Sequence, residues 1–524
     1  MKKSILIEDG NPARYRLQAK TDNNDQTDPY RKITFGNRDT KKPHKSILMV
    51  GETGTGKTTL INVMINYMLG VQREDKVWFE ITDDQSDHRS SVKSQTSIIT
   101  VYGFYLQESK TDLTIVDAPG YGDTQDIEMD KEIAMRFLSL SESAEGVHEL
   151  DAVCLVMNST QNRLSDRQQY IFDAVQSLFG KDIAENIVLF FTHSTGARPK
   201  NALMAVKEAK IKCAENDKKK PVYFLFNNRQ VQTSDEKCDD EEYDEEHEQA
   251  LQQSWRRSDR GMTGFFKFLD SVKPKTLKMT QNVLQKQKNL EANISNLRLR
   301  VQVMELKQNE LKQTQKALEN NKKDVENNKN FEFEVEVPYK EKVDIDPSVA
   351  KAAMCCTVCE ENSHYPGCWW AKNPLWCEVI KDGHCRVCTN KCHYSKHVKE
   401  AKIYVTKIKK EKRTYEELKK KYEDTIGNNV SVVKKLKEEL QELEAEKIKL
   451  VNEAFHCVET LQMIALNADS LIILQHIDFL IEKMKEINEP EKMKTLENIK
   501  KRAGEEKLEG LEFIKRYLQK NKHE

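Results

Sequence analysis

Met49-Val50-Gly51-Glu52-Thr53-Gly54-Thr55-Gly56-Lys57-Thr58-Thr59-Leu60 decides the fold. An apolar run, Ile47 to Val50, leads through G-x-x-x-x-G-K-T into a helical pattern of Leu60, Ile61, Val63, Met64 and Ile65. The glycines let the backbone wrap a polyphosphate with successive N–H groups pointing inward. A helix opening near Lys57 aims its positive dipole end at the same charge. The stretch reads as a phosphate-binding loop and predicts a bound nucleoside triphosphate with Mg2+. Gly51, Thr53, Gly54, Thr55, Gly56, Lys57, Thr58 and Thr59 would line the phosphates. Lys57 would reach the β and γ phosphates, and Thr58 would give its hydroxyl to the metal.

Around this loop, residues 43–274 alternate strand-like apolar runs with helical segments, the pattern of an α/β domain with a mostly parallel sheet and flanking helices. The predicted strands are Ser46–Val50, Ser97–Leu106, Leu113–Asp117, Ala152–Met157, Ile187–Phe191 and Val222–Phe226, with Asp166–Phe179 a polar-faced helix between two of them. Residues 1–42 are polar and aperiodic and read as a flexible lead-in. The acidic run Asp235–Glu248 reads as a solvated loop.

The strand Leu113–Asp117 runs into Ala118-Pro119-Gly120, giving D-x-P-G. Asp117 can hold Mg2+ through water, and the Gly120 N–H can sense the γ phosphate. D-x-x-G in this position points to a GTPase more than to an ATPase. Thr96 is the candidate for the threonine that closes on Mg2+, with Ser94 and Ser97 equally placed by spacing. Lys57, Thr96 and Gly120 are thus the catalytic candidates. Guanine recognition ordinarily uses N-K-x-D after a later strand. The literal match, Asn321-Lys322-Lys323-Asp324, lies in a polar helical stretch far from any strand and is composition noise. At the expected place stand Thr192-His193-Ser194-Thr195-Gly196, and the next strand ends Phe224-Leu225-Phe226-Asn227-Asn228.

With G-x-x-G-x-G-K-T, D-x-P-G, F-T-H and F-N-N together, residues 43–270 resemble the GTPases of immunity-associated proteins (GIMAP), with septins and chloroplast Toc receptors as wider relatives. The resemblance implies that His193 lies beside the guanine in place of the usual lysine and that Asn227 contacts the base edge. The alternative reading makes His193 a core-facing imidazole and Asn227-Asn228 a turn. It also implies GTP-dependent homodimers across the nucleotide face. Tyr121 stands where Ras-like enzymes put the water-orienting Gln, so intrinsic hydrolysis should be slow and a partner head would complete it.

The remainder of the 524 residues changes style. Leu290, Ile294, Leu297, Val301, Met304, Leu311 and Leu318 fall on three-and-four spacing, with Gln308 and Gln315 in the remaining seam positions. Val433, Leu436, Leu440, Leu443 and Leu450 form a second such series. Both predict coiled coil. Phe331–Val337 alternates with period two, and Lys402–Ile408 is its expected antiparallel mate, acids facing lysines. The arm expected from this is coiled coil and strand over 275–345, a Cys/His-rich tip over 346–400, and strand and returning coiled coil over 401–455. A helical segment, 456–524, would follow.

Eight of the twelve cysteines lie between Cys355 and Cys392. Cys356-x-x-Cys359 and Cys385-x-x-Cys388 are hooks of the kind that grip tetrahedral Zn2+, and His364, Cys368, Cys392 and His397 could complete two structural sites. So short a segment would need such a staple. The other reading is a redox-sensitive thiol cluster without metal. The apolar patch in Met1–Asp9 is too short for a secretory signal, so a cytoplasmic setting is expected, and in that reducing compartment twelve cysteines argue for metal or plain thiols instead of disulfides. Leu461–Leu480 is interrupted by Asn467, Asp469, Gln475, His476 and Asp478 and reads as a packed helix, so no transmembrane segment is expected.

A net charge of −1 gives no footprint for nucleic acid. The reading is a GTP-binding assembly or scaffold protein using GTP, Mg2+ and structural Zn2+, with a protein partner of unknown identity on the arm. A P-loop ATPase with a coiled-coil lever and a non-hydrolysing GTP-binding scaffold stay open. Nucleotide preference separates the first and turnover in the dimer the second.

Overall fold

Apolar runs bounded by turn residues become strands along the first 284 residues. The computed structural model describes residues 3–21, 30–52, 54–81, 99–107, 109–118, 127–143, 146–160, 166–230, 241–321, 323, 329–347, 350–365, 373–417, 420 and 430–504. Two compact units result: Met1–Leu284 with Ile464–Ser470, and Gln285–Met463 with Leu471–Glu524.

In chain order the first unit holds β1 (Ser4–Glu8), β2 (Ala13–Leu17), β3 (Lys20–Thr21), β4 (Tyr30–Gly36), β5 (His44–Gly51), α1 (Lys57–Met68), β6 (Val77–Glu80), β7 (Ile99–Tyr105), β8 (Asp112–Asp117), α2 (Ile127–Glu142), β9 (Glu149–Leu150), β10 (Ala152–Asn158), α3 (Asp166–Leu178), β11 (Ile187–Thr192), α4 (Lys200–Glu208), β12 (Tyr223–Leu225), α5 (Glu241–Ser271) and β13 (Lys275–Thr276). Eight strands form the main sheet in the order β12-β11-β10-β5-β8-β7-β4-β3. The run from β12 to β8 is parallel, and β7 joins β8 antiparallel. This is the expected α/β architecture, a mostly parallel sheet with flanking helices.

Successive residues of β5 enter opposite cores. Ile47 and Met49 pack with α1 and α5 on one face, and Leu48 and Val50 pack with α2 and α3 on the other. Burial on both faces is why this strand reads as an unbroken apolar run.

Two expectations are corrected here. The described residues of 1–42 are not a loose lead-in: β4 pairs in parallel with β7, Ile33 and Phe35 are buried, and the Phe35 ring stacks on Phe104 at 5.6 Å. Two apolar side chains among polar neighbours are too few to reveal a strand by periodicity. The acidic run is also not wholly loop. From Glu241 it opens α5; residues 235–240 lie outside the described residues.

Beyond β13 come α6 (Lys278–Asn320), β14 (Glu332–Asp344), β15 (Ala353–Cys356), β16 (Glu361–His364), β17 (Ile380–Lys381), β18 (His384–Cys385), β19 (His397–Glu400), β20 (Lys402–Thr414), α7 (Val430–Ile464) and α8 (Leu471–Glu486). In the second unit α6 and α7 run antiparallel, with Asn293 Nδ2 reaching Cys457 Sγ at 4.0 Å and Arg300 Nε meeting Glu446 Oε1 at 3.1 Å. The strands β14 and β20 pair over thirteen residues each. The expected mate is displaced: Glu332–Val337 pair with Lys409–Thr414, Val335 facing Glu411 and Glu334 and Glu336 facing Lys412 and Lys410, while Lys402–Ile408 pair with Pro338–Asp344, because alternation fixes a face but not a register.

The Cys/His module is not carried at the far end of a stalk. Gln313 of α6 bonds Glu336 of β14 through both its amide groups (2.7 and 3.1 Å), so the ribbon folds back along the helix. The module then rests on α6, where Arg386 donates to Asn289 Oδ1 at 2.7 Å and accepts at its carbonyl from Asn296 Nδ2 at 3.1 Å. Polar residues beside the heptad seam, which periodicity assigns to solvent, make these bonds.

Leu461–Leu480 is likewise two helices. Between α7 and α8, residues 465–470 leave the helix and belong with the first unit: the Leu466 N–H donates to Phe179 O at 2.8 Å, and Asn467 Nδ2 bonds Asp173 Oδ1 at 2.7 Å. Among the described residues, no helix is long and apolar enough to cross a membrane.

Candidate functional site

The phosphate loop lies at the C-terminal ends of the parallel strands, where α/β sheets bind ligands. Gly54 and Gly56 have φ of +76° and +86°, the left-handed region open to glycine, and Gly56 caps α1 so that helical geometry begins at Lys57. Thr55 braces the loop through its Oγ1, which donates to Glu52 O at 2.7 Å, and Thr192 at the end of β11 holds the Thr55 carbonyl at 2.8 Å. Lys57 Nζ lies over the loop, donating to the carbonyls of Gly51 (2.8 Å) and Glu52 (3.3 Å). Thr58 and Thr59 stand half-buried in the first turn of α1.

The β5–β8 register puts Asp117 opposite Met49, beside the start of the loop. Its Oδ1 is buried and has no hydrogen-bond partner among the described residues. Burial pushes the carboxyl up to about 6, against the pull of the Lys57 ammonium. A buried, unpaired carboxylate oxygen is a fitting donor for a hard divalent cation. Thr53, Thr96 and Gly120 lie outside the described residues.

The turns after β11 and β12 are joined by the Ser194 N–H donating to Phe226 O at 2.9 Å, so His193 and Asn227 each sit one residue from that bond. His193 is exposed with φ +51°, its Nδ1 3.1 Å from Thr192 Oγ1, which removes the core-facing reading. Asn227 is oriented from α5: its backbone N–H donates to Ser258 Oγ (3.1 Å) and its Nδ2 to Ser254 Oγ (3.0 Å). Arg257 donates to the Ser194 carbonyl at 2.8 Å. Sequence reasoning missed this supporting face of α5; Ser254, Arg257 and Ser258 at helical three-and-four spacing were its available signal.

In the second unit, the Sγ atoms of Cys356, Cys359, Cys388 and Cys392 all lie within 4.8 Å of one another. Cys359 and Cys392 are 3.7 Å apart, far beyond disulfide length and close to the edge of about 3.8 Å for a tetrahedron with Zn–S of ~2.3 Å. Backbone N–H groups point at these sulfurs: Cys359 N at Cys356, Asn390 N at Cys359 and Cys392 N at Cys388, at 3.4, 3.4 and 3.2 Å. Glu361 pins the second hook by accepting from the Thr389 N–H and hydroxyl at 2.8 and 2.7 Å.

Cys385, Cys388 and His397 form a further close group. Hydrogen bonding from Cys388 is the chief influence holding the Cys385 thiol down to about 3; burial opposes it, and His397 adds to it.

A third group was only partly foreseen. His364 meets Glu378 Oε2 at 2.9 Å and Cys377 Sγ at 3.4 Å through Nδ1, and all three residues are buried. Burial works against the imidazolium, yet the Glu378 carboxylate and Cys377 raise His364 well above its ordinary range. Cys377 and Glu378 stand outside any C-x-x-C hook, so spacing did not single them out. Cys368 lies outside the described residues.

Residues 45–262 match the model of the AIG1 family. A curated relative, Immune-associated nucleotide-binding protein 13 of Arabidopsis thaliana, is 29% identical over 154 residues, which is 29% of this chain and 39% of that protein. The chain thus spans about two fifths of that relative's length. Two solved structures of Toc33 from Arabidopsis thaliana, one with Mg2+ and GMPPNP and one with GDP and Mg2+, are 14% and 15% identical to it. Each alignment covers 45% of this chain and 88% of the other, with a TM-score of 0.30.

Proposed function

We propose that this chain, whose residues 45–262 match the AIG1 family model, binds GTP with Mg2+, hydrolyses it slowly, and uses its nucleotide state to control pairing of its heads. Zinc would hold the Cys/His module of the arm together. The observation that carries the nucleotide reading is the braced phosphate loop with the buried, unpaired Asp117 Oδ1 beside it.

Lys57 would exchange the carbonyls of Gly51 and Glu52 for phosphate oxygens. Thr58 would hold Mg2+ directly and Asp117 through water, with Thr96 and Gly120 in the roles their motifs suggest. The metal, when bound, neutralises charge on the β and γ phosphates. His193 would lie against the base and Asn227 would contact its edge, oriented by Ser254 and Ser258. The family resemblance implies pairing across the nucleotide face, so turnover per molecule should rise with protein concentration. In this reading the arm serves assembly, presenting a surface to a protein partner.

Titration with fluorescent GTP and ATP analogues in Mg2+, beside Lys57→Ala, tests it. Submicromolar GTP binding that weakens a hundredfold or more in Lys57→Ala is expected. Preference for ATP would overturn the roles of His193 and Asn227.

A further inference from the structure

We propose that the Cys/His module holds two metal ions as one thiolate-bridged binuclear cluster, with Cys388 and Cys356 each shared between the ions. The inference rests on the structural-zinc reading above and specifies its architecture.

Cys388 belongs to both close groups: with Cys356, Cys359 and Cys392 in one, and with Cys385 and His397 in the other. The first group is a complete four-sulfur site. The second offers three donors among the described residues. Cys356 stands directly opposite His397 in the β15–β19 pairing, and opposed residues of an antiparallel pair project from the same face. Cys356 thus shares a face with His397, and although its Sγ stands outside the 4.8 Å grouping of Cys385, Cys388 and His397, a second ion would draw it in.

Six donors satisfy two tetrahedral ions only when two of the sulfurs serve both. Sulfur can bridge in this way; the neutral imidazole of His397, with one available nitrogen, cannot.

Two independent observations point to a ligand at the second position. His397 is buried, its Nδ1 contacts the His393 carbonyl at 3.2 Å, and its Nε2 has no hydrogen-bond partner among the described residues. A carbonyl that fixes one ring nitrogen and leaves the other for a metal is the usual second-shell arrangement. Cys385 Sγ also receives the backbone N–H groups of Val387 and Cys388, both at 3.3 Å, as a thiolate would.

Charge agrees. Five thiolates around two divalent ions leave one net negative charge in this buried place, whereas one ion on four thiolates leaves two. Sharing therefore reduces the uncompensated charge that burial penalises.

The test is 113Cd NMR of the 524-residue chain after exchange of its metal for 113Cd. Two cadmium resonances, each split by the other through a shared sulfur, are expected. His397→Ala should lower the metal content by one ion per chain and collapse the splitting of the resonance that stays. The splitting decides, whatever the total metal count. Bound cadmium with no mutual splitting would overturn the bridge and leave structural metal standing. A chain that binds no metal would overturn both readings.

Discussion

Asp117 ends β8 with one carboxylate oxygen buried and unpaired, and its titration reports what that costs. The folded carboxyl is pushed up to about 6 from an ordinary 3.8, by burial first, with Lys57 opposing. Between those values the folded chain keeps a proton that the unfolded chain has released. Stability is therefore fully present below pH 3.8 and falls as pH rises through the window to about 6. Above it, the protein carries a buried carboxylate at a cost of roughly 3 kcal/mol.

Asp117→Asn should then be more stable than the parent by roughly 2–3 kcal/mol at pH 7.5 without nucleotide, and no more stable at pH 3.5. The same variant should bind GTP in Mg2+ at least tenfold more weakly. Calorimetry at the two pH values, beside a nucleotide titration, checks both halves. No gain at pH 7.5 would mean that the carboxylate is better solvated than its burial implies.

At the scale of elements, β4 tests whether the first residues belong to the fold. Phe35 is buried and stacked on Phe104, and β4 pairs with β7 along its whole length. Phe35→Ala should cost about 3–5 kcal/mol, read as a shift of the urea midpoint of the head. A loss under about 1 kcal/mol would return β4 to the status of a loose lead-in.

The same strand marks where legibility ends. The run around Ile47–Val50 could be read because burial on both faces keeps four residues apolar in succession, and the glycines after it have few other uses. Ile33 and Phe35 carry β4 almost alone. The β14–β20 ribbon was legible as strands because alternation names a face, yet many registers preserve that face, and the observed one sets Val335 against Glu411. Asn289, Asn296 and Gln313 show the deeper limit. A polar side chain beside a helical seam looks solvated until the fold brings a backbone to it, and nothing local says that it will. At the site, Lys57 and Asp117 came from motif spacing, whereas Cys377, Glu378 and the Ser254–Ser258 face meet their partners only through the tertiary fold.

At the scale of the whole chain, two units with separate cores carry the two chemistries: the phosphate loop lies in one and the Cys/His module in the other. The chain leaves the first unit after Leu284 and returns to it at Ile464–Ser470, where Leu466 is buried in the head core and its carbonyl accepts from Lys212 Nζ at 2.7 Å. If metal staples the module as proposed, the module should lose its structure when the metal is withdrawn. The returning segment, held by head residues, should not.

Chelation should therefore abolish hydrogen-exchange protection across Ala353–Cys356 and His397–Glu400 while leaving Leu466 and Asn467 protected and GTP affinity within about threefold of its starting value. The segment at 465–470 makes this a sharp comparison, because it lies between α7 and α8 in sequence yet belongs to the head in space. Loss of its protection on chelation, or loss of GTP binding, would mean that the two units fold as one cooperative body, with the metal supporting the nucleotide site through the chain crossings.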